Sequence, residues 1–470
     1  MADQLRYDVL GKGFTPHIDA LMEDSVRFSN TYCASPLCVP ARGALFTGTY
    51  PGVNGSIING WFKPEKPYSK VKTGIENLYE IMEQLDMECI HSGKQHLFTE
   101  GELLEERVDS KTKWLTTERT YRTFLQEHGK RAPGGPRFRT PVPEMHGGSY
   151  TRVSNYSNPS TGVYDEGPGY YYDEYFTDEA LRALKAYDGK KPLFLSMMYL
   201  APHPPLEIPE PWYSMIKPED VCLPENVGKW YEHQSPLQKY NLTGVVGNSY
   251  NMEQWKEAWR VYMGLVGLLD HCVGRMLDEL KRQGLYDNSI ILFGSDHGEM
   301  LGSHSLFQKM CMYEESVKTP LSIHLPKGIG RGKVVEEYIS HIDILPTICD
   351  LYGVQTDHRM DGRSLKTCLL KDEAIEERPV YIQYDGNASR GNFQRCILWK
   401  KHKLIVDIFK DETYFELYDL EHDPHETRNL LFEGDHKSLA EEMYHMLQKH
   451  MESMDDLIKL DSLDKFYVSY

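Results

Sequence analysis

Between Tyr32 and Tyr50 the chain reads YCASPLCVPARGALFTGTY, with Cys38 two residues before Pro40 and four before Arg42. A packed core does not require a thiol, a proline and an arginine in that order ahead of a Thr-Gly stop, so the stretch reads as chemistry. Four other places carry polar or charged residues of the kind that follow an apolar strand. They are Gly93-Lys94-Gln95-His96, Pro202-His203-Pro204, Ser295-Asp296-His297-Gly298, and Asp3-Gln4 at the start. Each alone reads equally well as a turn holding a satisfied histidine. Together they supply a carboxylate pair, histidines and a lysine around Cys38. That mixture suits an oxygen-ligated divalent cation beside an oxyanion site.

Ligand sites of α/β sheets gather at the carboxyl ends of strands, so these residues require a sheet to position them. The chain alternates short apolar strands with amphipathic helices, which predicts an α/β sheet covered on both faces. TPHIDALMEDSV reads as a helix capped by Thr15 with Pro16 in its first turn, NLYEIMEQL as a helix and MECIHSG as a strand. TDEALRALKAY reads as a helix capped by Thr177; PLFLSMMYLA and SIILFGSDHG read as continuous buried strands. A long helix covers 252–283 with Gly284 just past its end, and IDILPTICDLYG is a further helix. Residues 99–175 are polar, rich in Gly, Pro and Tyr, and lack clear periodicity; they read as one long loop. A boundary in KDEAIEER separates a catalytic domain, 1–372, from a subdomain, 373–470. The latter holds the antiparallel strands VYIQYD, CILWKKHKLIVDI and FELYDLEHD and a closing helix over about 436–455.

The formal charge is −18, from 70 acidic against 52 basic residues. Such a surface repels nucleic acid and anionic membranes, so neither is an expected partner. An anionic substrate must instead meet a local positive site built from arginine, lysine, histidine or a metal ion. The nine cysteines (33, 38, 89, 222, 272, 311, 349, 368 and 396) are scattered without a CxxC pair, which suits reduced thiols. All but Cys38 read as small buried apolar residues. No run reaches the ~18 apolar residues of a membrane helix. The start, MADQLRYDVLG, shows no secretory signal, which gives a cytoplasmic reading of the chain as written.

Cys38-Val39-Pro40-Ala41-Arg42, continuing to Leu45, Thr47 and Gly48, resembles the C-x-P-[S/A]-R…TG motif of type I sulfatases in the alkaline-phosphatase superfamily. SDHGEMLGSHSLFQKMCMYEES, DILPT and ELYDLEHDPHETRNL extend the resemblance over nearly the whole chain. The resemblance implies an alkaline-phosphatase-like fold: a large mixed, mostly parallel sheet flanked by helices, with a smaller C-terminal antiparallel-sheet subdomain. It also implies that a maturation enzyme oxidises Cys38 to formylglycine, whose hydrate attacks sulfur with one hydroxyl and expels sulfate with the other. Carried over by position, Asp3, Gln4, Asp296, His297 and residue 38 hold a divalent metal, Ca²⁺ first, with Mg²⁺ and Mn²⁺ as alternatives. Arg42 holds the formylglycine hydroxyl, Lys94 and His96 touch sulfate and diol, His203 protonates the leaving alcohol, and Lys309 binds a sulfate oxygen.

The sequence departs from the family pattern in places. Gln95 replaces a tryptophan, Gln4 a second aspartate, and Ser303-His304-Ser305 stands where relatives often show Asp-His-Gly, so His304 receives no role. Relatives also carry a hydrophobic strand just before MADQ. The expectation is a true start further upstream, and a loosened Asp3 in the chain as written. The implied activity is hydrolysis of a sulfate monoester on a small molecule or glycan. Two readings compete with it: a phosphonate monoester or phosphodiester hydrolase of the same superfamily, and a binding protein that never acquires formylglycine.

Overall fold

The computed structural model describes residues 1–470 except 62, 147, 148, 372, 435 and 470, without the side chains of 144–146, 149–152 and 468–469. Pro16 opens α1 (Pro16–Glu23), but the Thr15 hydroxyl donates to Asp19 Oδ1 at 2.9 Å instead of capping the helix. There follow β1 (Val26–Tyr32), α2 (Cys38–Thr47), α3 (Leu78–Gln84) and β2 (Glu88–Gly93). Asn77 and Glu80 close a reciprocal capping box on α3.

The segment expected to be one loop is structured. It holds β3 (Lys113–Thr116), α4 (Glu118–Glu127), and a hairpin of β4 (Arg139–His146) with β5 (Ser149–Ser157). The signal was thin because α4 buries only Tyr121 and Leu125. Pro141 and Pro143 also look like loop residues, yet a two-stranded ribbon has free edges that tolerate them. The next helix, α5 (Tyr172–Ala186), begins five residues before Thr177. Thr177 is no cap: its hydroxyl donates back to Asp173 O at 2.6 Å from inside the helix.

The chain continues through β6 (Leu193–Met198), α6 (Met252–Arg282), β7 (Ile291–Gly294), β8 (Lys318–His324), β9 (Val334–Val335), β10 (Ile339–Ser340) and α7 (Ile344–Tyr352). One sheet runs β9-β1-β8-β7, with β10 also on β1; a second runs β3-β2-β6. The β1–β8 and β8–β7 pairs are antiparallel, and the other pairs of the two sheets are parallel. Residues Met1–Asp3 join the two sheets. Tyr199 N–H donates to Met1 O at 2.9 Å and Ala2 N–H to Gly294 O at 2.8 Å, with parallel bridges from Ala2 to Ser295 and Asp3 to Pro202. These bridges and hydrogen bonds tie Asp3 to both sheets. Leu193, Leu195 and Met197 line an apolar cavity of about 540 Å³ together with Met1, Ile291 and Phe293. For that reason β6 and β7 are only partly buried rather than continuous core strands.

Helix α6 carries Trp255, Trp259, Tyr262, Val266, Leu269 and Val273 on one buried stripe at helical spacing. Tyr262 reaches from that stripe to the chain start: its hydroxyl donates to Gln4 O at 2.7 Å and accepts from Arg6 N–H at 3.0 Å. Among the described residues no helix is long and apolar enough to cross a membrane. All nine cysteines are free thiols, and Cys222 is exposed, contrary to the reading of it as core.

The C-terminal sheet runs β11 (Val380–Tyr384), β12 (Asn392–Trp399), β13 (His402–Phe409) and β14 (Glu412–Asp419), all antiparallel, with α8 (Lys437–Ser453) behind it. Residue 372, at the expected domain boundary, lies outside the described residues. Both faces of this sheet are covered. Leu404 and Val406 pack with Met443 and Leu447 of α8, whereas Ile405, Cys396 and Tyr418 join the core of the larger part.

The seam between the two parts is polar. Lys403 Nζ meets Glu314 at 2.8 Å, Glu426 at 2.7 Å and Met312 O at 2.9 Å. Glu416 accepts from Ser235 N–H and the Tyr313 and Tyr418 hydroxyls; Asp407 accepts from Ser235 Oγ and Gln238 Nε2. Burial is the main reason why Asp407 and Glu416 are pushed up to about 7 and Glu426 to about 8. A carboxyl raised in the fold binds its proton more tightly there than in the unfolded chain. Its stabilising contribution is therefore present at low pH and lost as pH rises through 7 and 8. The melting temperature is expected to fall by roughly a few degrees between pH ~6 and ~9. A melting curve that is flat or rising over that range refutes this account of the seam.

Candidate active site

The site is assembled at the carboxyl ends of β2, β6 and β7 and at the N-terminus of α2. Every residue of α2 is buried, and Cys38, its first residue, is 2% exposed. The helix N-terminus favours an anion there. Val39 N–H donates to Asn59 Oδ1 at 3.2 Å, so a backbone donor of the first turn is satisfied from a neighbouring loop. Gly48 ends the helix at φ 67°, and a Cβ there would lie 2.9 Å from Met360 Sδ, which is why the apolar run stops at Thr-Gly.

One helical turn beyond Cys38, Arg42 clamps the centre. Its Nη2 donates to Asp3 at 2.9 Å, its Nε to Asp296 at 3.0 Å and its Nη1 to Lys94 O at 3.1 Å. The guanidinium is thus occupied by the two carboxylates and the β2 loop. Lys94 Nζ pairs with Asp3 at 2.6 Å and lies 4.0 Å from Cys38 Sγ. His297 Nε2 is 3.1 Å from Cys38 Sγ, and its Nδ1 donates to Gly298 O at 3.0 Å, which leaves Nε2 free to act as a ligand.

His203 is fixed by its two neighbours. Pro204 O, 2.6 Å away, can only accept, so Nδ1 carries the proton; Lys309 Nζ, 3.2 Å away, can only donate, so Nε2 accepts. Lys309 also donates to Gln4 Oε1 at 2.6 Å. His96 stands further out, 3.0 Å from Glu118, with Trp61 packed on its ring at 5.4 Å. Gln95 is buried, donating to Leu97 O at 2.7 Å and, through its N–H, to Glu118 at 3.0 Å. His304 lies elsewhere, stacked on Tyr313 at 4.1 Å with its Nε2 at His425 O.

The electrostatics follow from this crowding. Burial alone would raise the Cys38 thiol, but Lys309, Lys94 and His297 outweigh it and hold the thiol well below its ordinary value. Burial and the Cys38 charge press Asp3 upward, yet Lys94, His203 and Arg42 prevail and keep it well below the usual carboxylate range. Burial and the Asp3 charge push Asp296 up. Burial, then Lys309 and Lys94, pushes His203 down to about 4, so it is neutral at neutral pH. Glu118 resists its burial through His96 and sits at about 2. Here is the local positive site that a chain of charge −18 requires.

The donor set fits a divalent cation. One ligand atom each from Asp3, Cys38, Asp296 and His297 lies within 4.8 Å of the others, and all four residues are buried. Two buried carboxylates so close together repel unless cations stand between them, and carboxylate, amide and imidazole donors suit Ca²⁺, Mg²⁺ or Mn²⁺. Neither Glu118 nor Glu299 stood out in the sequence. Glu118 opens a helix inside the featureless polar stretch, where the Thr117–Thr120 capping box was its one local mark. Glu299 directly follows Asp296-His297-Gly298 and could have been found by that adjacency.

A mixed α/β platform bearing a buried two-carboxylate centre beside a reactive helix N-terminus defines the alkaline-phosphatase-like class of hydrolases. The sulfatase family model matches residues 3–354, and the model of the N-sulphoglucosamine sulphohydrolase C-terminal region matches 302–453. An arylsulfatase of Clostridium perfringens is 26% identical, over 97% of this chain and 94% of its own. An N-acetylglucosamine-6-O-sulfatase of Bacteroides thetaiotaomicron is 24% identical over 94% of this chain and 82% of its own. The crystal structure of a phosphonate monoester hydrolase of Agrobacterium radiobacter superposes with a TM-score of 0.78 at 22% identity, covering 96% of this chain and 94% of that one. The chain belongs to the sulfatase family, and it is a sulfuric ester hydrolase.

Proposed function

We propose that the protein hydrolyses a sulfate monoester carried by a glycan or glycan-derived sugar, using residue 38 as formylglycine beside a divalent metal. The observation that carries this is the position of Cys38: buried at a helix N-terminus, 3.1 Å from His297 Nε2 and inside the four-residue ligand cluster. The metal would be held by Asp3, Gln4, Asp296, His297 and residue 38, and would supply charge that polarises the sulfate. Hydrated formylglycine supplies one oxygen that takes the sulfuryl group and a second that releases it. The glycan assignment is supported by the relative named as an N-acetylglucosamine-6-O-sulfatase.

The chain's own residues divide the remaining work. Lys94 and Lys309 face residue 38 and would donate to the equatorial sulfate oxygens as charge builds on them. The leaving alcohol needs a proton, and the one nearest His203 sits on Lys309 Nζ, because His203 itself is neutral with Nδ1–H turned to Pro204. Lys309 Nζ therefore carries the proton for the leaving alcohol, and His203 Nε2, accepting from Lys309, orients it. Arg42 keeps the two carboxylates in place. His96 is aligned by Glu118 to take up the proton lost when sulfate departs. Glu118→Gln is expected to lower kcat by about 10- to 100-fold, with KM and melting temperature little changed. A change in KM alone would assign Glu118 to binding instead.

Coexpression with a formylglycine-generating enzyme, followed by mass spectrometry of the peptide bearing residue 38, tests the reading directly. Conversion to the aldehyde, with sulfate esters turned over faster than phosphonate esters, is the expected result. A persistent thiol would favour the binding protein, and a kcat/KM ratio favouring phosphonates would favour the phosphonate hydrolase.

A further inference from the structure

We propose that Glu299 is a positioning residue for Gln4: it fixes which end of the amide faces the centre and supplies, one bond further out, the charge that position 4 lacks. This rests on the reading that Gln4 belongs to the metal set.

The orientation of the amide follows from its two neighbours. Lys309 Nζ lies 2.6 Å from one end of the amide and can only donate, so that end is Oε1. The NH2 end then points to Glu299 Oε2, which accepts from it. The other carboxylate oxygen accepts the backbone N–H groups of Leu301 at 2.8 Å and Gln308 at 2.5 Å. With three donors aimed at it, Glu299 acts purely as an acceptor. Both side chains are fully buried at 0% exposure, so neither has water as a substitute partner. The backbone of Gln4 is gripped as well: its N–H donates to Asp296 Oδ1 at 3.1 Å and its O accepts from Tyr262. Gln4 sits at φ 67°, a region costly for a residue with a side chain, and these contacts hold it there.

The pair thus resembles a carboxylate moved one position outward. Outer groups that orient a metal ligand affect affinity by about 10- to 100-fold when altered. Glu and Gln have the same shape, which permits an exchange of charge without a change of volume. In Glu299→Gln the side-chain oxygen stays on the Leu301 and Gln308 N–H groups, and the new NH2 turns to Gln4. Gln4 must then flip and present its own NH2 to Lys309 and the centre. In Gln4→Glu two buried carboxylates face each other. In the double variant the amide introduced at position 299 donates to the carboxylate introduced at position 4, whose second oxygen faces the centre again.

The test is calorimetric titration of the unmodified Cys38 protein with Mn²⁺ alone, accompanied by melting curves. Glu299→Gln is expected to weaken Mn²⁺ binding about 10- to 100-fold, and Gln4→Glu to lower the melting temperature. Gln4→Glu with Glu299→Gln is expected to restore both, binding Mn²⁺ at least as tightly as the parent. A folded Glu299→Gln protein that binds Mn²⁺ like the parent overturns the proposal and leaves the metal set standing. So does a double variant no better than Glu299→Gln. A parent protein that takes up no Mn²⁺ overturns the metal set and this proposal together.

Discussion

Cys38→Ala is expected to reduce sulfate-ester turnover by about 10⁴-fold or more, the scale seen when the nucleophile of a covalent mechanism is removed. Lys94, Lys309, His203 and His297 all converge on this one position. On the proposed reading they serve a group that attacks and is then regenerated, and the alanine methyl can do neither. The fold should survive, because the lost atom is a single sulfur at the end of a helix whose other nine residues remain packed. Cys38→Ser is expected to fail nearly as badly, since one hydroxyl can take up the sulfuryl group but has no partner oxygen to release it. The measurement is sulfate release by matured parent and variant at saturating substrate, with melting curves to exclude unfolding. If the alanine variant keeps about a tenth of the parent rate, residue 38 is not the nucleophile.

Lys403→Met is expected to destabilise the protein by about 3–5 kcal/mol, the usual consequence of leaving a buried charge without its partner. Lys403 is fully buried and is the cation shared by Glu314 and Glu426. Methionine fills the space but leaves the Glu314 carboxylate without that cation, beside Glu426, in a region closed to water. Adding Glu314→Gln and Glu426→Gln to the methionine variant should recover most of the loss, because the uncompensated Glu314 charge is removed and both positions keep a neutral hydrogen-bonding group. Denaturant unfolding measures both. A loss under about 1 kcal/mol would show that water or rearrangement already relieves the carboxylates.

What could be read from the sequence was what local order announces. Asp296 and His297 follow an apolar run directly, Lys94 and His203 do the same, and the Cys38-to-Arg42 spacing places the arginine one helical turn from the thiol. Long-range partnerships left no such mark. Arg42 turns to Asp3 and Asp296 because two distant strand ends meet it, and no spacing within α2 reports that. Trp61 packs on His96 where Gln95 stands in place of the family's tryptophan, an aromatic contact supplied from a remote loop. The tyrosines at the head of α5 masked its true start, and the thin apolar face of α4 hid Glu118. In the C-terminal sheet Ile405 and Leu404 face opposite cores, so CILWKKHKLIVDI shows none of the polar alternation of a half-exposed strand.

Helix α2 is walled in along its entire length. With Cys38 2% exposed, a second protein working on its sulfur would meet a helix enclosed by the finished fold. If residue 38 is converted as proposed, burial favours the nascent or opened chain, before these ten residues are enclosed. The timing of synthesis, and not only the final architecture, would then decide what fraction of molecules can ever turn over.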